Sequence, residues 1–240
     1  MTLPSVASAV VGTAATQTTE THSAVAVRAR QVLIVIAHSF DASGGDADVT
    51  GATFDGTAMT ELGEQLTDGG LGGLWGCTVF VYAPGTATTG DIVVTWGEEQ
   101  TNAVSAYLLM DDVKWSDISD AVTEEADNNT TAASVDHTTV HPRTLVLAFG
   151  TYVDADSTGS ISAVGTGDTL EYNQDDGTII SFCISTVAVP QSTYTSAPTT
   201  AGMGGTEDCV WVVVSVMEAI SSESGYAAAS HFGLVQPKII

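Results

Sequence analysis

Apolar residues along this chain fall into short runs, and the runs form two matching series. Residues 31–40, Gln-Val-Leu-Ile-Val-Ile-Ala-His-Ser-Phe, open a stretch that closes at 103–110 with Ala-Val-Ser-Ala-Tyr-Leu-Leu-Met. Residues 143–152, Arg-Thr-Leu-Val-Leu-Ala-Phe-Gly-Thr-Tyr, open a second stretch that closes at 210–217 with Val-Trp-Val-Val-Val-Ser-Val-Met. The run at 31–37 is too short for a helix and too uniformly apolar for a half-exposed strand, so it predicts a strand covered on both faces. Each stretch also holds a cysteine-bearing run that ends in proline, Cys77 to Pro84 and Cys183 to Pro190. The spacing between matching blocks is nearly constant and far too long for a solenoid. The pattern predicts an all-β, jelly-roll-like antiparallel β-sandwich with an internal duplication. Residues 31–40 should then be equivalent to 143–152, and Cys77 to Cys183.

The remaining elements follow from alternation and turn residues. Asp55-Gly56 between apolar positions predicts a hairpin with a type I′ turn. Residues 78–82, 92–96, 145–152, 179–189 and 210–217 read as strands, and 41–48, 68–76 and 154–159 as loops. Residues 1–24, rich in Ala, Val, Ser and Thr, read as an extended arm or a first edge strand. The chain divides into that arm, a first β half at 25–112, an acidic hinge at 113–142, a second half at 143–218, and a linker and tail at 219–240. Within the hinge, 119–126 has room for a helical turn or two.

Charge narrows the partners. Five Lys and Arg face 29 Asp and Glu in 240 residues, a formal net charge of −24. Nucleic acid and anionic lipid are poor partners for such a surface, because both need cationic side chains. Self-repulsion keeps the chain soluble and salt screens it, so stability is expected to rise with salt. This suits a saline or halophilic source, and equally an acidic secreted or virion surface. No apolar run is long enough to span a membrane as a helix. The opening Met-Thr-Leu-Pro-Ser-Val lacks the basic and apolar regions of a signal peptide, so the expectation is a chain made in the cytoplasm and assembled, or already processed.

Candidate chemistry is sparse. Gly165-Thr-Gly167 lacks the third glycine of a dinucleotide fingerprint, and the glycines at 69–76 lack a phosphate-loop ending. No Gly-x-Ser-x-Gly elbow is present, and nothing in the spacing selects a Ser-His-Asp triad. His137 and His141 would sit about 13 Å apart on one face of a strand, too far to share a zinc ion, and read as surface histidines. The acidic loops are the better case for a metal. Asp41, Asp46 and Asp48 cluster in one, Asp154 and Asp156 in its counterpart, and hard oxygen ligands on a flexible loop suit Ca²⁺. Solvated turn carboxylates are the plainer reading, and no other cofactor is expected. Cys77 and Cys183 read as small buried hydrophobes, with a disulfide between them left open, and Cys209, beside Glu207 and Asp208, is disfavoured as a reactive thiolate. Asn128 and Asn129 each begin a glycosylation sequon. Trp96 and Trp211 read as core, Trp75 and Trp115 as candidates for an exposed sugar-stacking platform. The tail is nearly uncharged, and Tyr226, Phe232, Leu234, Val235, Ile239 and Ile240 predict that it docks on another subunit.

The Thr-rich opening, the buried strand at 31–37, the hairpin Val-Thr-Gly-Ala-Thr-Phe-Asp-Gly-Thr-Ala-Met at 49–59, the strand ending Tyr-Ala-Pro at 82–84, Gly-Asp-Ile-Val-Val-Thr-Trp at 90–96 and the closing Ala-Val-Ser strand together resemble a loose group of β-sandwich structural proteins of tailed-virus particles and related bacterial surface proteins. The resemblance covers roughly residues 10–218 and rests on strand patterns, so no site residue is carried over. It implies a non-enzymatic virion component, a capsid decoration or turret protein, assembled as a homo-oligomer with other virion proteins such as the major capsid protein. The alternatives are a tail-fibre or spike module for host recognition, and an extracellular carbohydrate-binding or adhesin domain.

Overall fold

The computed structural model describes residues 3–43, 45, 48–67, 73–114, 119–130, 134–141, 143–153, 160–175, 179–188, 193–196, 199–201 and 207–218. All described regular structure is β. The first half contributes β1 (Ser5–Val11), β2 (Ala15–Val27), β3 (Val32–Asp41), β4 (Val49–Phe54), β5 (Thr57–Ala58), β6 (Thr60–Thr67), β7 (Leu74–Tyr82) and β8 (Thr88–Asp111). The second contributes β9 (Ser119–Thr130), β10 (Val135–Thr138), β11 (Thr144–Val153), β12 (Ser160–Ala163), β13 (Thr169–Asp175), β14 (Ile179–Ala188), β15 (Thr193–Ser196), β16 (Thr199–Ala201) and β17 (Glu207–Met217). No helix among the described residues is long and apolar enough to cross a membrane.

Every described pairing is antiparallel, and the pairings repeat. One sheet contains the path β6-β7-β3-β8-β1, and the other is β13-β14-β11-β17-β9. Matching the two paths member by member also matches the peripheral strands. Strands β2 and β4 both pair with the first part of β8, while β10 pairs with β15 and β12 with β16. The 24-residue β8 therefore does alone what β15, β16 and β17 do in sequence.

Register corrects the alignment read from the sequence by one residue. His38 pairs with Cys77, and Phe149 pairs with Cys183. His38 also pairs with Val104, and Phe149 with Val212. Laid over each other at Cys77 and Cys183, the two paths match His38 with Phe149, not with Gly150. A one-residue slip exchanges the two faces of a strand, so the correction decides which side chains meet.

The two sheets pack face to face on a shared core. Val32, Ile34 and Ile36 meet Leu145, Leu147, Phe149, Val212 and Val214 there. The opposite faces are also covered. Leu33, Val35, Phe80, Phe54 and Trp96 form a second core on the first sheet, and Val146, Phe182, Ile184, Trp211 and Val213 a third on the other. This is why the opening and closing strands carry continuous apolar runs.

Residues 119–130 and Trp75 differ from expectation, while residues 1–24 take the second of the two forms read for them, an edge strand. Residues 119–130 are strand β9, laddered on β17, where the sequence suggested a hinge with some helix. An acidic edge strand has no apolar alternation to betray it, and its neighbour's ladder settles its conformation. Residues 1–24 are largely the edge strands β1 and β2, both paired with β8. Trp75 is fully buried in the shared core, as are Trp96 and Trp211 in the outer ones, and Trp115 lies outside the described residues. The Asp55-Gly56 turn is as expected: both residues have positive φ, 48° and 73°, as a type I′ turn requires.

Candidate functional site

Three groups of polar side chains stand out, and each is built by strand register. The first lies inside the shared core. His38 continues the inward-facing series Val32, Ile34 and Ile36 of β3, ahead of Phe40, and its ring reaches across to the second sheet. His38 Nδ1 lies 2.6 Å from Thr151 Oγ1 and Nε2 lies 2.9 Å from Tyr172 OH. The Thr151 hydroxyl donates back to the Gly76 carbonyl at 3.3 Å. Its hydrogen being committed there, Thr151 accepts from His38 Nδ1–H, which leaves Nε2 to accept from the Tyr172 hydroxyl. The chain of bonds runs one way, from Tyr172 to His38 to Thr151 to Gly76, crossing from sheet to sheet three times. Burial holds the His38 pKa down at about 3, so the ring is neutral.

The two matching thiols lie in this core as well. Cys77 and Cys183 are fully buried and form no disulfide, and Cys209 is buried in the outer core. Burial first, then Glu64 beside Cys77 and Glu171 beside Cys183, pushes the two thiol pKa values well up. Such thiols are held as uncharged packing groups rather than as nucleophiles.

The second group brings a serine, a histidine and a glutamate together at the β2–β8 edge. Ser105 Oγ donates to Glu20 Oε2 at 2.7 Å, and the Ser105 main-chain N donates to the same oxygen at 2.5 Å. Glu20 Oε1 accepts from the Thr13 main-chain N at 3.0 Å. His22 Nε2 lies 2.8 Å from Ser105 Oγ. With the hydroxyl hydrogen already given to Glu20, His22 Nε2–H is the donor. A nucleophilic serine needs the opposite polarity, with histidine taking the hydroxyl proton. Ser105 is moreover fully buried. The constellation resembles a hydrolase triad in composition only, and what its bonds do is pin β2 to β8. Desolvation lowers the His22 pKa against the opposing pull of Glu20 and Ser105.

The third group is the loop after β3. Asp41 accepts from Ser43 N at 3.0 Å, Ser43 Oγ at 2.6 Å, Gly45 N at 2.7 Å and Thr101 Oγ1 at 3.2 Å. Burial works against the charge, but these bonds win and hold the carboxyl below its ordinary pKa. A Cβ on Gly45 would collide with Glu98 Oε1 and fall 2.6 Å from Asp41 Oδ2, so a larger residue there would displace both carboxylates. Asp41 thus folds its own loop. Asp48 is placed next to β8, its main-chain O accepting from Gly97 N at 2.9 Å. Asp46, Asp154 and Asp156 lie outside the described residues. Among the described residues no three His, Cys, Asp or Glu side chains gather as metal ligands.

Other expected positions resolve as follows. His137 is buried, not on the surface, and its Nδ1 bonds Thr123 Oγ1 at 2.9 Å, while His141 is exposed. The docking residues Tyr226, Phe232, Leu234, Val235, Ile239 and Ile240 lie outside the described residues. Sequence reasoning passed over His38 and Ser105. The one signal for His38 was its place at the end of a run predicted to be covered on both faces.

No family profile, curated protein or solved structure matches this chain.

Proposed function

We propose that this chain is a non-enzymatic structural protein of a virus particle, decorating or stabilising a capsid surface through contacts between copies and with other virion proteins. The sandwich is read as a jelly-roll-like wall raised by duplication of one β-layer. The observation that carries the reading is the use of reactive side chains inside the fold. Ser105 gives its proton to Glu20, His38 is neutral between Thr151 and Tyr172, and both matching thiols are buried. Side chains engaged this way hold strands and sheets together and leave no activated nucleophile among themselves. The acidic surface supports a particle exterior in saline water over any contact with nucleic acid. Burial of Trp75 removes one of the two candidates for an exposed sugar-stacking platform, which weakens the carbohydrate-binding alternative.

The test is assembly. The full chain, purified in molar salt and measured by light scattering and native mass spectrometry, should form a closed homo-oligomer of fixed copy number. Antibody raised against it should decorate the outside of virus particles by electron microscopy. A chain that stays monomeric at about 100 µM, where an interface worth only about 5.5 kcal/mol would already be populated, and labels no particle would end the proposal.

A further inference from the structure

We propose that residues 5–27 are an exchangeable edge element: the β1–β2 segment of one copy can leave its seat along β8 and fill the same seat on a second copy. The proposal rests on the reading of this chain as a self-assembling structural protein and says which surface joins the copies.

Four observations carry it. First, β1 and β2 pair with β8 alone, so the segment leaves the sheet without disturbing another ladder. Second, its burial is mostly partial, with Val6, Ala9 and Val11 packed half-buried against the shared core. No side chain of β1 is fully buried, and in β2 only Val25 and Val27 are. The ladder itself is broken by register shifts at residues 15–17, 17–19 and 22–25, and Ala24 sits in the left-handed region at φ 54°. Third, the connection to β3 is strained. Arg30 in the short turn at 28–31 has φ 67°, a conformation unfavourable for a residue with a Cβ. Opening that turn into an extended hinge relieves the strain, which is the condition that favours exchange of identical elements between copies. Fourth, the second half shows the seat in use by a segment from upstream. Strands β9 and β10 hold on β17 and β15 the places that β1 and β2 hold on β8. Each half is a body completed by a strand delivered from its N-terminal side.

The Glu20 cluster sets how readily exchange occurs. Glu20 ties Thr13 in the β1–β2 link to Ser105 of β8, with His22 on the same hydroxyl, Gln17 Nε2 on the Ala103 carbonyl and Thr16 Oγ1 on the Thr101 carbonyl. These bonds are identical whichever copy supplies the strand. Loosening them therefore speeds exchange and leaves the seat's preference for this segment intact.

The experiment uses the full chain with Thr19→Cys and Thr95→Cys, which are cross-strand partners between β2 and β8. After incubation at high concentration and oxidation, a non-reducing gel separates an intrachain link, which runs as monomer, from an interchain link, which runs as covalent dimer. The expected result is a dimer that grows with incubation time and concentration, and that forms about tenfold faster with Glu20→Gln, the worth of one charge-assisted hydrogen bond. Only intrachain link at every concentration, in parent and Glu20→Gln alike, overturns the proposal. So does an equal yield of dimer from either single-cysteine variant, which would mean collision rather than exchange. Should the double variant fold poorly, a fluorescent peptide of residues 3–28 added to the unaltered chain gives the same decision. Capture that a Thr19→Pro peptide cannot match supports exchange, and no capture overturns it. An assembled protein that fails these tests keeps the proposed function and loses only this mode of joining.

Discussion

The two halves share a pairing plan and differ in what they place at matching points of the shared core. His38 of the first half occupies the place of Phe149 in the second, and Phe40 the place of Thr151. The bond that joins the sheets, His38 to Thr151, therefore links positions that are polar in one half and aromatic in the other. Two first halves facing each other would set a histidine against Phe40 with no acceptor, and two second halves would set Thr151 against Phe149. A buried polar group without a partner costs far more than the bond it would otherwise make is worth. The asymmetry thus makes each half the fitting partner of the other and a poor partner of itself. The closing strands differ in the same spirit. The long β8 covers both the shared and the first outer core without a break, whereas the second half builds its outer cover from two short pairs, β10–β15 and β12–β16.

The largest expected effect comes from erasing that asymmetry. His38→Phe makes the first half like the second, strands the Tyr172 hydroxyl in an apolar core, and adds bulk where packing is tight. An orphaned buried hydroxyl and overpacking together should cost about 3 kcal/mol in a urea unfolding curve. Adding Tyr172→Phe removes the orphan, so the double variant should regain about 1–2 kcal/mol of that loss, since replacing both partners is close to neutral. A double variant no more stable than the single one would show that the bond to Tyr172 does not hold the halves together.

A smaller effect follows from pH. The folded pKa of His38, about 3, lies below its ordinary value near 6.5 because burial disfavours the charged ring. The unfolded chain then binds the proton that the folded chain refuses. Stability from this group is complete above pH 6.5 and is lost as pH falls towards 3, about 2 kcal/mol by pH 5 at 1.4 kcal/mol per unit. Carboxylates titrate near pH 4, so the interval from 6.5 to 5 belongs mainly to histidines, with a lesser share from His22. Unfolding curves at pH 7 and pH 5 should show the loss in the parent and most of it gone in the His38→Phe variant. An unchanged pH slope in that variant would assign the effect elsewhere.

What the sequence made legible was whatever two covered faces leave behind. β3, β11 and β17 are apolar at consecutive positions, and the Asp55-Gly56 turn follows from the positive φ that both residues tolerate. What it hid depended on neighbours. Strand β9 is acidic and looked like a connection, because only Val122 and Ala126 among its described side chains pack on the shared core. The face parity of β3 could not be read from a run with no polar gaps, so the halves were aligned one residue out of step and His38 lost its counterpart. Glu20, His22 and Ser105 are far apart in the chain, and only the β2–β8 register brings them together. Asp41 was recognised as a loop residue, but its partners Ser43, Gly45 and Thr101 turn a candidate metal ligand into a turn-former.

The smallest effect compares the entrances to the two opening strands. Arg30 precedes β3 with φ 67°, and Arg143 precedes β11 with φ 63°. Both halves also tie an arginine to the end of the closing strand. In the first half Arg28 Nη2 bonds Asp111 Oδ2 at 2.8 Å, while the strained Arg30 side chain is exposed. In the second half strain and tie fall on the same residue. Arg143 Nη2 bonds Glu218 Oε1 at 3.0 Å and its Nε bonds Oε2 as well, a two-pronged contact that holds the Glu218 carboxyl below its ordinary pKa. Arg30→Gly should therefore raise stability by up to about 1 kcal/mol, since glycine adopts this φ without the Cβ penalty. Arg143→Gly relieves the same strain but frees a mostly buried carboxylate beside the Val113–Glu218 bridge, where the link between the halves returns to the second sheet. Its melting temperature should fall. If both glycine variants raise the melting temperature, relief of strain outweighs the Arg143–Glu218 contact and that contact does not hold the second entrance.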